Sequence, residues 1–214
     1  MYENITGIIL SGGKSTRMGQ NKSLLKIGEV TAIERIVNLM KNLFPKLILS
    51  TNTPEEYEFL GLEMVPDIYK NAGPIAGIHA GLSASKTEKN FIISCDMQLM
   101  NTETIKFLID LKTDSPITIA KADGFHQQLA GVYSKSAVSE IDKIIEEYAK
   151  DDENRSGEQI KRGCKVFKLV TDLNAKIIDA ETEIPNYKSG TFFNMNKPHE
   201  FDEIKAILEQ NNLE

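Results

Sequence analysis

GIILSGGKSTRMGQNKSLL, residues 7–25, is the stretch on which the reading of the whole chain turns. It opens on a β-branched apolar run with no polar break, the pattern of a strand buried on both faces. Two glycines follow, Gly12 and Gly13, and the next positions carry Lys14, Arg17 and Lys22. Successive backbone amides after a strand form a concavity that favours anions, and glycine lets an anion approach the backbone without a Cβ clash. Arg17 offers a planar fork of donors and Lys22 a compact point charge. Neither familiar phosphate loop matches. Five residues separate Gly13 from Gly19 and Gln20 follows, which breaks the Walker A spacing, and adjacent glycines break GxGxxG. The stretch therefore reads as an anion-binding loop of another kind, with a plain glycine-rich turn carrying solvated lysines as the alternative.

Bulk composition narrows the ligand. The chain has 214 residues and a net charge of -6, which argues against nucleic acid, whose binding rests on many Lys and Arg contacts to phosphate. A small phosphorylated ligand needs only a few local cations. Cys95 and Cys164 lie far apart and form no CxxC pair, so neither a disulfide framework nor a zinc site is expected. His79, His126 and His199 are isolated and read as ordinary surface or core residues. The N-terminus shows no secretory signal pattern, and no run reaches the roughly 18 apolar residues of a membrane span. A reduced, cytoplasmic chain with no membrane partner is the expectation.

Strand-like runs alternate with helical patterns along the chain. AIERIVNLMKNLF repeats its apolar residues at helical spacing behind a Thr31–Glu34 capping box. KLILS and GLEMVPD read as strands around a short helix, PEEYEFL, opened by Pro54. GPIAGIHAGLSAS reads as a helix packed tightly on a sheet, and NFIISCD as the clearest central strand. TETIKFLIDLK follows as a helix capped by Asn101 or Thr102. SPITIAKA, HQQLAGVYS and CKVFKLV read as strands, while SAVSEIDKIIEEYAK, GEQIKR and FDEIKAILEQ read as helices. This alternation predicts a single α/β domain over residues 1–214, Rossmann-like, with a mostly parallel twisted sheet and helices on both faces. Ligands of such sheets sit beyond the carboxyl ends of the strands, at a switch in strand order. The places to look are just after Leu10, Ser50, Val65 and Cys95.

LSGGKSTRMGQNKSLL resembles the L-x-G-G-x-S-x-R-M-G-x-x-K signature of Rossmann-like nucleotidyltransferases, and its form is most similar to the molybdenum cofactor guanylyltransferase family. VPD at 65–67, GPIAGI at 73–78, SCDMQLM at 94–100 and FFNMNKP at 192–198 resemble further family segments in order. The resemblance implies that Leu10, Ser11, Gly12 and Gly13 wrap a nucleotide and that Arg17 and Lys22 meet its phosphates. It implies nucleotide contacts for Asn52 and Asp67, a magnesium ligand in Asp96, and pterin contacts for Asn194 and Asn196. Ser94-Cys95 and Lys197-Pro198 stand where the family usually has Pro and Thr-Pro; neither departure removes an implied ligand. The implied reaction transfers GMP from GTP to Mo-molybdopterin with release of pyrophosphate. Molybdenum-insertion proteins and molybdoenzyme chaperones are the implied protein partners. Cytidylyl transfer to molybdopterin, another small-molecule nucleotidyl transfer, and a non-catalytic nucleotide-binding accessory protein are the alternatives.

The residues themselves leave some roles open. Asp96 ends the most apolar strand, and with Asn101 or Thr102 available to cap the next helix, the metal role suits it better than a cap. Asp67 reads equally as a turn-forming residue, and Asn194 and Asn196 as partners of a turn backbone.

Overall fold

The computed structural model describes residues 1–12, 21–153, 166–195 and 197–211. β1 (Ile5–Leu10) is buried along its whole length, as its apolar run requires. Past the glycine-rich stretch come a short hairpin, β2 (Lys26–Ile27) and β3 (Val30–Thr31), then α1 (Ala32–Lys41). The predicted capping box is formed: the Thr31 hydroxyl accepts from the Glu34 amide, and the Glu34 carboxylate accepts from the Thr31 amide. β4 (Lys46–Ser50) and β5 (Glu63–Val65) follow. Between them PEEYEFL forms two 3-10 turns, Pro54–Glu56 and Glu58–Leu60, rather than one helix; Tyr57, at φ -125° and ψ 7°, leaves the helical region between them.

α2 (Pro74–Ala84), β6 (Lys89–Ser94) and α3 (Thr102–Asp110, capped by the Asn101 side chain) hold the predicted positions. β7 (Ile117–Ala122) and β8 (Phe125–Ser134) join through Asp123 and Gly124. Both turn residues have positive φ, 50° and 81°, which gives the mirror-image turn that suits two twisted antiparallel strands. α4 (Val138–Glu153) follows. α5 (Val166–Asp172) corrects the strand expected for CKVFKLV: Val166, Leu169 and Val170 are buried at helical spacing while Phe167 is 49% exposed. The β-branched valines suggested a strand locally, but one-sided packing at i, i+3 and i+4 outweighs that preference. Like the β2–β3 hairpin, β9 (Lys176–Asp179) and α6 (Ala180–Glu183) were not anticipated; α7 (Pro198–Asn211) forms as expected. GEQIKR and Cys164 lie outside the described residues.

The sheet order is β5-β4-β1-β6-β8-β7-β9, and β8 alone runs against the others. Alternate strand residues feed two cores. Ile9, Leu49, Phe91 and Ile93 pack beneath α1 and α3 with Ile36, Met40 and Leu108. Ile8, Ile48 and Ile92 pack on the other face with Ile75, Ile78 and Leu82 of α2 and Ile141 of α4. A mostly parallel sheet with helices on both faces is therefore confirmed. Both faces must be covered, because side chains alternate across a strand and both sets here are apolar.

α2 lies close on the sheet because Gly81 carries no side chain. A Cβ there would stand 2.4 Å from Cγ2 of Ile8, a β-branched residue buried on the middle of the sheet. Ile8 has little rotamer freedom with which to yield. Gly81→Ala is expected to lose about 1–2 kcal/mol of stability by overpacking, against the helix-propensity gain that Ala ordinarily brings. Urea unfolding measures it, and a variant as stable as the parent would show that α2 is not pinned by this contact.

Candidate active site

Strand order switches at β1. The chain moves from β1 outward to β4 and β5, then returns to place β6 on the other side of β1. Backbone hydrogen bonds carry the ladder past the strand ends: Cys95 N donates to Leu10 O, Ser11 N to Ser50 O, and Thr51 N to Val65 O. Each of the four strands therefore delivers candidate residues along this edge: Asp96 after β6, Ser11 and Gly12 after β1, Asn52 after β4, Asp67 after β5. Three strand spacings separate Asp96 from Asp67, about 14 Å at the usual distance between neighbouring strands. That row is long enough to take an extended ligand with chemically different ends.

At the β6 end a charged pair forms. Lys22 Nζ donates to Asp96 Oδ2 at 2.6 Å and to the Met195 carbonyl at 3.0 Å. Met195 N donates in turn to Asp96 O. Asp96 is only 8% exposed, and its Oδ1 is buried with no hydrogen-bond partner among the described residues. A carboxylate oxygen so placed retains unspent acceptor capacity, which fits a cation. Among the described residues no three His, Cys, Asp or Glu side chains converge as a cation cage. A cation at Asp96 would take much of its shell from water or ligand oxygens, as magnesium does beside phosphates. Burial, with Asp96 beside it, pushes the Cys95 thiol up to about 12, so Cys95 stays protonated and is a poor nucleophile.

At the β5 end Asn52 and Asp67 grip each other. Asn52 Nδ2 donates to Asp67 Oδ2 at 2.7 Å, and Asp67 N donates to Asn52 Oδ1 at 3.0 Å. The face of α2 beside them is bare: a Cβ at Gly77 would lie 3.1 Å from Ser50 Oγ and 3.7 Å from Asp67 Oδ1. The loop bearing Asp67 is tied down by Tyr69, which donates to Asp142 Oδ1; buried His79 holds the same oxygen through Nε2. Among the described residues, nothing lies within 4 Å of a Cβ built at Gly12 beside β1.

The structure thus gathers Leu10, Ser11, Gly12, Lys22, Asn52, Asp67 and Asp96 on one sheet edge. Asn194 is half-buried beside Met195, next to the Lys22–Asp96 pair. Gly13, Lys14, Arg17 and Asn196 lie outside the described residues. Sequence reading missed the Met195 carbonyl, the Asn21 side chain that caps the Lys22 turn, and Tyr57. A backbone carbonyl leaves no mark in a sequence. Tyr57 sits in a charged, exposed-looking segment that gives no hint of a buried phenol.

The sequence profile of the MobA-like NTP transferase domain matches residues 7–159. A protein of Carboxydothermus hydrogenoformans named "Probable molybdenum cofactor guanylyltransferase" is 32% identical over 207 residues, 96% of this chain and 98% of that one. A Clostridium perfringens protein of the same name is 32% identical over 92% of this chain and 93% of its own length. In fold, the crystal structure of molybdopterin-guanine dinucleotide biosynthesis protein A from Archaeoglobus fulgidus superposes with a TM-score of 0.75. It is 21% identical and covers 96% of this chain and 99% of that one. With the matched profile spanning most of the sheet and near-full-length relatives, this chain belongs to the MobA-like NTP transferase domain family.

Proposed function

We propose that the chain transfers GMP from GTP to the phosphate of Mo-molybdopterin, releasing pyrophosphate, with residues 1–214 acting as one domain. The observation that carries this reading is Asp96 at the switch point, with one oxygen bound by Lys22 and the other buried and without a partner among the described residues. The guanine and the pterin rest on the names of the relatives. In nucleotidyl transfer charge builds on the α-phosphoryl oxygens and the departing pyrophosphate, so the protein contributes chiefly position and opposite charge. Lys22 and Arg17 hold the triphosphate; Leu10, Ser11, Gly12 and Gly13 wrap it. Asn52 and Asp67 take the guanosine end of the row, and Asn194 and Asn196 take the pterin end. The family uses a divalent cation, and we assign Mg2+ to Asp96, where it supplies charge neutralisation for the phosphates. No covalent intermediate is needed: the pterin phosphate attacks the α-phosphorus in line. We place the reaction in the cytoplasm, with molybdenum-insertion proteins and molybdoenzyme chaperones as candidate partners. Among the described residues, no helix is long and apolar enough to cross a membrane.

Pyrophosphate release with each nucleotide, with and without Mo-molybdopterin, tests the reading. GTP is expected to react fastest, and only with the pterin present. Faster turnover with CTP would move the assignment to cytidylyl transfer, and silence with every nucleotide would favour an accessory binder.

Asp96→Asn keeps the shape and removes the charge. Turnover is expected to fall by roughly a hundredfold or more, the scale of losing one transition-state electrostatic contact. Unchanged turnover with magnesium dependence intact would end the metal assignment.

The Lys22–Asp96 pair is itself measurable. The two side chains are 19% and 12% exposed, so solvent screens them little. A double-mutant cycle of Lys22→Met and Asp96→Asn, followed by urea unfolding, is expected to give a coupling on the order of 2 kcal/mol. A coupling near zero would mean that the pair is not held in solution.

A further inference from the structure

Tyr57 is 2% exposed and lies between the two 3-10 turns that follow β4, its ring in the core beneath α1. Its hydroxyl meets three side chains. Ser11 Oγ donates to it at 2.9 Å, Asn21 Nδ2 donates to it at 2.8 Å, and Ser23 Oγ lies 2.8 Å away. A phenol has one proton and accepts in the direction of its lone pairs. With Ser11 and Asn21 both donating, the Tyr57 proton must go to Ser23 Oγ. Ser23 then gives its own proton to Asn21 Oδ1, at 2.7 Å. The ring Tyr57 to Ser23 to Asn21 and back to Tyr57 is closed, with each proton assigned once. Asn21 Oδ1 also accepts from Ser23 N and so caps the turn that carries Lys22, while Asn21 Nδ2 also reaches Glu56.

Ser11 and Asn21 flank the glycine-rich stretch on either side. One buried hydroxyl therefore holds both ends of the segment assigned above to the triphosphate, and sets the turn from which Lys22 reaches out. We propose that Tyr57 is a positioning residue for the triphosphate: it fixes Ser11 and the turn that carries Lys22 relative to each other, so that these residues lose less conformational freedom when the nucleotide binds. This rests on the proposed nucleotidyl transfer. The clamp acts on the phosphate side only, since Asn52 and Asp67 are held by each other and not by Tyr57. Fixing a binding segment beforehand raises affinity by cutting the ordering cost.

Tyr57→Phe keeps the ring and removes the hydroxyl. Calorimetric titration with Mg-GTP, beside competition by guanosine, separates positioning from general damage. The expected result is GTP binding about tenfold weaker, the scale of one to two lost hydrogen bonds, with guanosine affinity unchanged. Equal weakening of both ligands, or of neither, would overturn the clamp and leave Tyr57 a packing residue. Asn21→Ala removes one spoke at a less buried position and must show the same selective loss, and it carries the test if Tyr57→Phe does not fold. If the parent chain binds no GTP, the functional reading itself has failed, which is distinct from a parent that binds and a variant that binds equally well.

Discussion

Three backbone hydrogen bonds at the carboxyl edge of the sheet determine where everything else in the candidate site lies. Cys95 N to Leu10 O, Ser11 N to Ser50 O, and Thr51 N to Val65 O step across four neighbouring strands. They continue the parallel register in which Leu10 faces Ser50 on one side and Ser94 on the other. Strand register is strongly specified wherever apolar side chains alternate into a core, because a slip of one residue turns every side chain to the other face. Here both faces are apolar, so the strands stay in step through their interlocking with α1 and α3 below and α2 and α4 above. The rigidity that places Asp96 opposite Lys22 is thus a by-product of core packing.

The carboxylate of Asp96 explains much of the local charge arrangement. An ionised acid that is 8% exposed needs compensation, and Lys22 supplies it by reaching across from a separate turn. Met195 binds both partners, its carbonyl to Lys22 and its amide to the Asp96 carbonyl, which draws the late segment against the sheet edge. Met195 can do this because its side chain is fully buried with Ile27, Ala32 and Ile204, anchoring the segment through α7. The apolar contacts of a third, small core therefore bring a distant piece of chain to the ion pair.

Much of this was legible in the sequence, and the failures have physical causes. β1, β4 and β6 were readable because a strand buried on both faces has an unbroken apolar run. α1 was readable because Thr31 and Glu34 satisfy its first amides in a recognisable pattern. α5 was misread because Val166, Phe167 and Val170 favour strands locally, and only the burial of one side reveals the helix. β9 was overlooked because an edge strand of four residues with a half-exposed face carries no clean alternation. Asp96 and Asp67 could be placed on the carboxyl edge because the ends of buried strands are where parallel sheets present their ligands, whereas Lys22 was singled out by the cation-rich stretch and its motif. Tyr57 was missed for the opposite reason: it comes from an irregular segment, and its importance lies in three partners, Ser11, Asn21 and Ser23, that stand 46, 36 and 34 residues away in sequence.

The Lys22–Asp96 pair also sets the charge balance of the site. Each group neutralises the other, so neither stands in a partly desolvated place with an uncompensated charge. On the proposed reading a triphosphate would offer Lys22 further anionic oxygens, and a cation would meet Asp96 at Oδ1, the oxygen that Lys22 does not bind. Both charges would then keep opposite neighbours at close range. The turn that carries Lys22 suits that role: it is a single 3-10 turn held from below through Asn21 and Ser23, which fixes the point from which the lysine reaches Asp96.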